Sequence, residues 1–171
     1  MTVRKSFDYC ARADAKVLIL GSMPGEESLR QQQYYAHPRN SFWDIMGALF
    51  GAGRDLPYRR RLEQLTDHRI ALWDVAHVCR RHGSLDSNIE LPSVEPNNFA
   101  ALFKRCPGIT TIFFNGNKAA ELFRKLILPK FAEKHPVLEY VTLPSTSPAN
   151  ASLSPARKLH RWREIQKALT I

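Results

Sequence analysis

Four short apolar runs punctuate the chain, at residues 16–20, 70–75, 109–114 and 139–143. Their length and their β-branched and aromatic content predict buried strands. Between them the apolar positions change period. From Ser41 onward, Phe42, Ile45, Met46, Leu49 and Phe50 fall at i, i+3, i+4, i+7 and i+8, one face of a helix that Gly51 or Gly53 can end. Asn117 is placed to cap a helix carrying Ala119, Phe123, Leu126 and Ile127 on one side, stopped by Pro129. Ser154 with Pro155 makes a cap followed by proline at the first helical position and leads into Leu159, Trp162, Ile165 and Leu169, so the chain ends in a helix. Weaker helical patterns at 57–69 and 98–105 each precede a strand run. Strand and helix thus alternate four times. That order predicts one α/β domain over residues 1–171, a three-layer unit with a central four-stranded, mostly parallel sheet and helices on both faces.

Charge narrows the partner. Twenty-five Lys and Arg against sixteen Asp and Glu leave a formal charge of +9, the electrostatic footprint of a nucleic-acid binder. A merely solubilising surface charge would give the same number, so charge supplies a class of partner and not a reaction. Cys10, Cys79 and Cys106 are odd in number and lack C-x-x-C spacing, which suits neither a disulfide framework nor a zinc site. They read as reduced thiols, with no metal and no cofactor expected. No apolar run approaches the ~18 residues of a membrane span, and Arg4 and Lys5 lack the apolar stretch of a secretory signal. A cytoplasmic monomer without membrane contact is the expectation.

In an open parallel α/β sheet, ligands bind outside the carboxyl ends of the strands. Four segments follow strand runs and so face one cleft. They are Gly21, Ser22, Met23, Pro24 and Gly25; Asp74 onward to Gly83, Ser84, Leu85 and Asp86; Asn115, Gly116 and Asn117; and Pro144, Ser145, Thr146, Ser147, Pro148, Ala149 and Asn150. Their Gly, Pro, Ser, Thr and Asn make tight loops that present backbone N–H groups and small polar side chains to something polar and anionic. The first loop lacks the lysine of a phosphate-binding P-loop, which disfavours nucleoside triphosphate chemistry. The segment from Tyr34 and Tyr35 through Ala36, His37, Pro38, Arg39, Asn40, Ser41, Phe42 and Trp43 packs aromatic, basic and amide groups around one proline. It reads in two ways. Asn40 or Ser41 caps the following helix while Tyr35 and Trp43 are core, or an aromatic ring stacks on an extruded base whose sugar a polar side chain addresses.

Taken together, these strings resemble the uracil-DNA glycosylase superfamily over nearly the whole chain, and most closely its hypoxanthine-DNA (deoxyinosine) glycosylase branch. Mismatch-specific uracil and thymine glycosylases, with a similar alanine-histidine-proline string, are next nearest. The resemblance implies base excision repair: a deaminated base is flipped from DNA and its N-glycosidic bond hydrolysed to leave an abasic site. Two departures stand out. Where classical members carry Asp or Asn in the first motif this chain has Met23, and where the late motif begins with His or Asn it has Leu143. The resemblance passes the water-orienting task to Asn40. It further assigns base contacts to the 21–25 loop, Tyr35, Asn115, Asp74 and Asp86, and DNA contacts to His37, Arg39, Pro144, Ser145, Thr146, Ser147, Pro148 and Asn150.

The late loop would then press the DNA backbone and enter the duplex. Arg157, Lys158, Arg161, Arg163 and Lys167 would supply phosphate contacts beside it. Lys118 follows the third strand run, yet nothing local marks it as a lyase amine, so base removal without strand cleavage is expected. Two other classes stay open: a non-catalytic binder of single-stranded or damaged DNA, and an enzyme acting on free nucleosides.

Overall fold

The computed structural model describes residues 2–170. The four predicted runs become β2 (Val17–Gly21), β3 (Ile70–Asp74), β6 (Thr111–Asn115) and β7 (Glu139–Leu143), each within two residues of its expected limits. They form one sheet in the order β3-β2-β6-β7, and every pair is parallel. The strand order turns back beside β2, which opens a crevice between the carboxyl ends of β2 and β6. Register then decides what lies there. Gly21 pairs with Asp74, Leu20 with Phe114 and Asn115 with Leu143, so Asp74, Gly21, Asn115 and Leu143 stand in one row at the end of the sheet.

Alternation along the strands divides the core in two, because successive side chains point to opposite faces. Leu18, Leu20, Ala71, Trp73, Ile112 and Phe114 face one layer, with α4 (Phe99–Arg105), α5 (Asn117–Leu126) and α6 (Leu128–Lys134) packed against them. Val17, Ile19, Ile70, Leu72 and Phe113 face the other, covered by α2 (Phe42–Phe50), α3 (Tyr58–Asp67), α7 (Pro155–Trp162) and α8 (Glu164–Leu169). Phe42 and Trp162 are completely buried there, edge to face with centroids 5.9 Å apart. Truncating either to alanine would cost ~3–5 kcal/mol.

Local signals place most helix ends. Gly51 closes α2 in the left-handed conformation (φ 72°), the side chain of Asn98 accepts from the Ala101 N–H, and that of Ser154 accepts from the Arg157 N–H. Three expectations need correction. Gly116, not Asn117, occupies the cap of α5; its φ of 96° suits glycine, and Asn117 is the first helical residue. Pro129 does not simply stop α5: the chain kinks at Ile127, and Pro129 sits in the first turn of α6, where its missing N–H costs nothing. The last helix is likewise two, broken at Arg163.

The apolar pattern conceals a second, antiparallel sheet, β1 (Val3–Lys5), β4 (Ala76–Arg80) and β5 (Glu95–Pro96), in the order β1-β4-β5. Its strands are two to five residues long and carry mixed burial, so no periodicity stands out. The short α1 (Glu26–Gln31) follows the 21–25 loop on the early rim of the crevice, where its first N–H meets Ser84.

Candidate active site

The crevice is a cavity of about 360 Å³, lined from all four strand-end segments and from the segment preceding α2. Among the expected site residues, Gly21, Ser22, Met23, Pro24, Gly25, Tyr35, His37, Asn40, Asp74, Asp86, Asn115, Ser145, Thr146, Ser147, Pro148 and Asn150 line it. Arg39 and Pro144 stand outside that lining. The exposed Arg39 donates its backbone N–H to His37 Nδ1 at 3.1 Å, and Pro144 lends its carbonyl to Trp162 Nε1 at 2.9 Å. Leu143 is buried in the α2 layer and brings no group to the cavity.

The first rim is the 21–25 loop with the 83–86 loop beside it. All four carbonyls from Gly21 to Pro24 are occupied. Val75 and Ala76 N–H groups donate to the first two at 2.8 and 3.0 Å, and the Arg81 guanidinium donates to Met23 and Pro24 at 3.4 and 2.6 Å. Arg81 also reaches the Gly83 carbonyl at 2.7 Å, so one completely buried side chain joins both loops. Burial pushes its pKa down, and nearby Cys79, Asp86 and Glu26 offset part of that shift. Ser22 Oγ donates to Asp86 at 2.6 Å, and Ser84 Oγ accepts the first N–H of α1 at 2.9 Å.

The opposite rim is the late loop, gripped from beneath by Asn115. Its amide nitrogen donates to Thr146 Oγ1 and its amide oxygen accepts the Thr146 N–H, both at 2.9 Å. Thr146 returns its carbonyl to the Ser41 N–H at 3.0 Å, tying the loop to the start of α2. Asn115 and Thr146 are thus bonded first to each other and brace the cavity wall. Lys158 is not on an exposed basic face: it is buried, and its Nζ donates to the Asn150 carbonyl at 2.7 Å. Ser145 crowds the space a Cβ at Gly116 would need, at 3.0 Å, so the turn after β6 has room only for glycine.

On the third side, the segment preceding α2 combines a helix-start contact with a place on the cavity wall. Asn40 Oδ1 accepts the Phe42 N–H at 2.9 Å, which makes it a helix-start residue, and its side chain still lines the cavity. Trp43 is core, with Nε1 donating to the Tyr34 carbonyl at 2.8 Å. Tyr35 is half-buried, held in a left-handed conformation (φ 53°) and stacked on Phe42 with centroids 4.0 Å apart. For an aromatic residue that backbone is strained, and such strain clusters at functional sites. Ser28 of α1 fixes it by accepting the Ala36 N–H at 3.1 Å.

At the floor, two oxygens lack partners: Asp74 Oδ2 and the Tyr35 hydroxyl are buried and meet no hydrogen-bond partner. The Tyr35 hydroxyl and the other Asp74 oxygen, Oδ1, crowd Gly21, where a Cβ would collide with Oδ1 and lie 3.0 Å from the hydroxyl. Burial, and then the charge of Asp86, raise the Asp74 pKa to about 7 against the pull of Arg81. Burial and Asp74 drive the Tyr35 phenol far above its usual value. The Asn115 amide opposes this without reaching hydrogen-bond geometry. Asp86 is raised by burial too, with Ser22, Arg81 and Lys118 opposing. Among the described residues no His, Cys, Asp or Glu cluster has the makings of a metal site. No described helix is long and apolar enough to cross a membrane.

Arg81 and Ser28 are site-building residues that motif reasoning passes over, and Lys158 is one that it places on a phosphate-contacting face instead. Only Arg81 leaves a trace, falling two residues after the buried Cys79 and so on the inner side of a strand alternation.

Comparison with known proteins agrees with this architecture. Residues 7–167 match the uracil DNA glycosylase superfamily. The chain is 37% identical over 164 residues to a hypoxanthine DNA glycosylase of Methanosarcina acetivorans, covering 95% of this chain and 98% of that one. It is 39% identical over 119 residues to a hypoxanthine DNA glycosylase of Methanosarcina barkeri, covering 69% and 74% respectively. The solution NMR structure of a uracil DNA glycosylase candidate from Methanosarcina acetivorans superposes with a TM-score of 0.81 at 34% identity, covering 99% of this chain and all of that one.

Proposed function

The chain belongs to the uracil DNA glycosylase superfamily, and from that premise we propose that it excises hypoxanthine from deoxyinosine-containing DNA and leaves an abasic site. It is a DNA glycosylase, and its substrate is DNA. What supports the choice of base is the pair of relatives named hypoxanthine DNA glycosylase; the unpartnered oxygens at the cavity floor suit an N–H beside a carbonyl, an edge that hypoxanthine shares with uracil. Buried polar atoms without partners are rare, and a pocket built to bond a particular edge rejects ligands that lack it. Hypoxanthine presents a ring N1–H beside its O6 carbonyl. A neutral Asp74 carboxyl accepts from the first and donates to the second, and its raised pKa keeps that form populated near neutrality.

Base flipping brings the nucleotide between the two rims, where Tyr35, backed by Phe42, stacks on the extruded ring. As the bond from C1′ to the base breaks, its electron pair leaves on the base. Backbone N–H groups of the 21–25 loop and the Asp74 proton stabilise the charge that develops there, in a site where one preorganised donor is worth ~2.7–4 kcal/mol. Asn40 positions the water that adds to C1′, its amide plane already set by the Phe42 N–H. A neutral amide takes no proton, so the water's proton passes to the departing base or to solvent. His37 and Arg39 meet a flanking phosphate, and Pro148 with Ala149 presses the backbone from the late rim.

Among the described residues, those lining the cavity include no lysine to form a Schiff base at C1′, which supports base removal without strand cleavage. One chain's loops complete the cavity, in keeping with a monomer. The three cysteines are free, in keeping with a reducing cytoplasm. The test is a single-turnover assay on matched duplexes carrying one deoxyinosine or one deoxyuridine, with and without alkali. Cleavage of the inosine strand only after alkali is the expected outcome. Cleavage of the uracil strand alone would move the enzyme to the uracil branch, and no cleavage of either would leave a DNA binder.

A further inference from the structure

The late loop is expected to wedge the duplex, yet the side chains it exposes at its tip are the small ones of Pro148 and Ala149. A base pulled from a duplex leaves a gap, and proteins that distort DNA fill such gaps with apolar side chains, of which proline is the smallest and leucine fills more of the space. The rim across the cavity carries one. Leu85 is 52% exposed, among the few large apolar side chains of the described residues left so open to solvent, and of these it alone lines the cavity.

Its position is braced. Arg81 holds the Gly83 carbonyl, Ser84 Oγ takes the Glu26 N–H, the Asn88 side chain donates to the His82 carbonyl at 2.9 Å, and Asp86 receives Ser22 Oγ. An apolar side chain held in water on a fixed loop gains nothing in the free protein. It gains only when something apolar covers it, and the face of a base pair is such a surface. We propose that Leu85 is the wedge that enters the base stack as the nucleotide is extruded, with the late loop pressing from the opposite side.

This rests on the glycosylase reading, and the experiment separates the two. Leu85 is exposed, so Leu85→Ala leaves the fold intact. Single-turnover rates are compared on a paired duplex containing deoxyinosine and on the same strand with the lesion in a small unpaired bubble, where no stacking has to be replaced. The base flip is also read directly from the fluorescence of a 2-aminopurine stacked beside the lesion. Leu85→Ala is expected to lower the paired-duplex rate about tenfold to a hundredfold more than the bubble rate, the scale of one lost apolar anchor. It should also blunt the fluorescence rise, with Leu85→Met restoring both. An equal fall on the two substrates, or none, with an unchanged fluorescence rise overturns the proposal. Wild-type protein that removes no base from either substrate overturns the glycosylase reading instead.

Discussion

The two rims of the cavity are held in opposite ways. The early rim hangs on a buried cation: Arg81 spreads one guanidinium over three carbonyls of two loops. The late rim hangs mainly on a neutral amide, Asn115, which bonds Thr146 with both ends, while Lys158 adds a single bond to Asn150. The difference carries over to the chemistry. A positive charge beneath the early rim draws the Asp74 and Asp86 pKa values back down, so it limits how far the floor can become neutral. The late rim's grip on Thr146 is neutral, and its buried cation, Lys158, meets the loop at Asn150.

Removing the charged support should do the most damage. Arg81→Met leaves three carbonyls in the loops without a donor and is expected to lower unfolding stability by on the order of 3 kcal/mol or more, read as a fall in the urea midpoint. Arg81→Lys should not rescue it, because an ammonium cannot span a fork of three acceptors. Asn115→Leu comes next. It strands the Thr146 N–H and hydroxyl and should cost on the order of 2 kcal/mol by the same measurement. If the two losses are equal, the contrast between the rims is wrong.

A pH dependence is the most diagnostic of the floor. The Asp74 pKa is raised from 3.8 to about 7, so the folded protein keeps a proton that the unfolded chain releases. Stability therefore falls as pH climbs from about 4 to 7 and stays reduced above that. Asp74→Asn removes this slope. Its melting temperature should rise relative to wild type at pH 8, and the gain should vanish near pH 4. A variant that tracks wild type across the whole range would mean that Asp74 ionises freely.

The positions that sequence reasoning places correctly share a physical cause. Strands buried on both faces must be apolar throughout, so runs such as the one ending at Phe114 stand out, and parallel topology sends their carboxyl ends to one side. That is enough to gather Gly21, Asp74, Asn115 and the late loop. What stays hidden is the polar scaffolding. Nothing local distinguishes Lys158 from a solvated base, and Arg81 leaves only its place in a strand alternation; what decides is burial, which comes from β4 and α7 packing against distant segments. Asn115 shows the same limit from the other side: a strand-end amide suits base recognition, and its engagement with Thr146, 31 residues away, is a tertiary fact.

The central claim is that this cavity hydrolyses the glycosidic bond of deoxyinosine with Asn40 placing the water. Its most direct test is the single-turnover rate of base release from an inosine duplex by wild type and Asn40→Ala, with DNA affinity measured alongside. The account predicts alkali-dependent cleavage by wild type and a loss of about a hundredfold or more in the variant with affinity held. An Asn40→Ala enzyme that turns over inosine at the wild-type rate would contradict it.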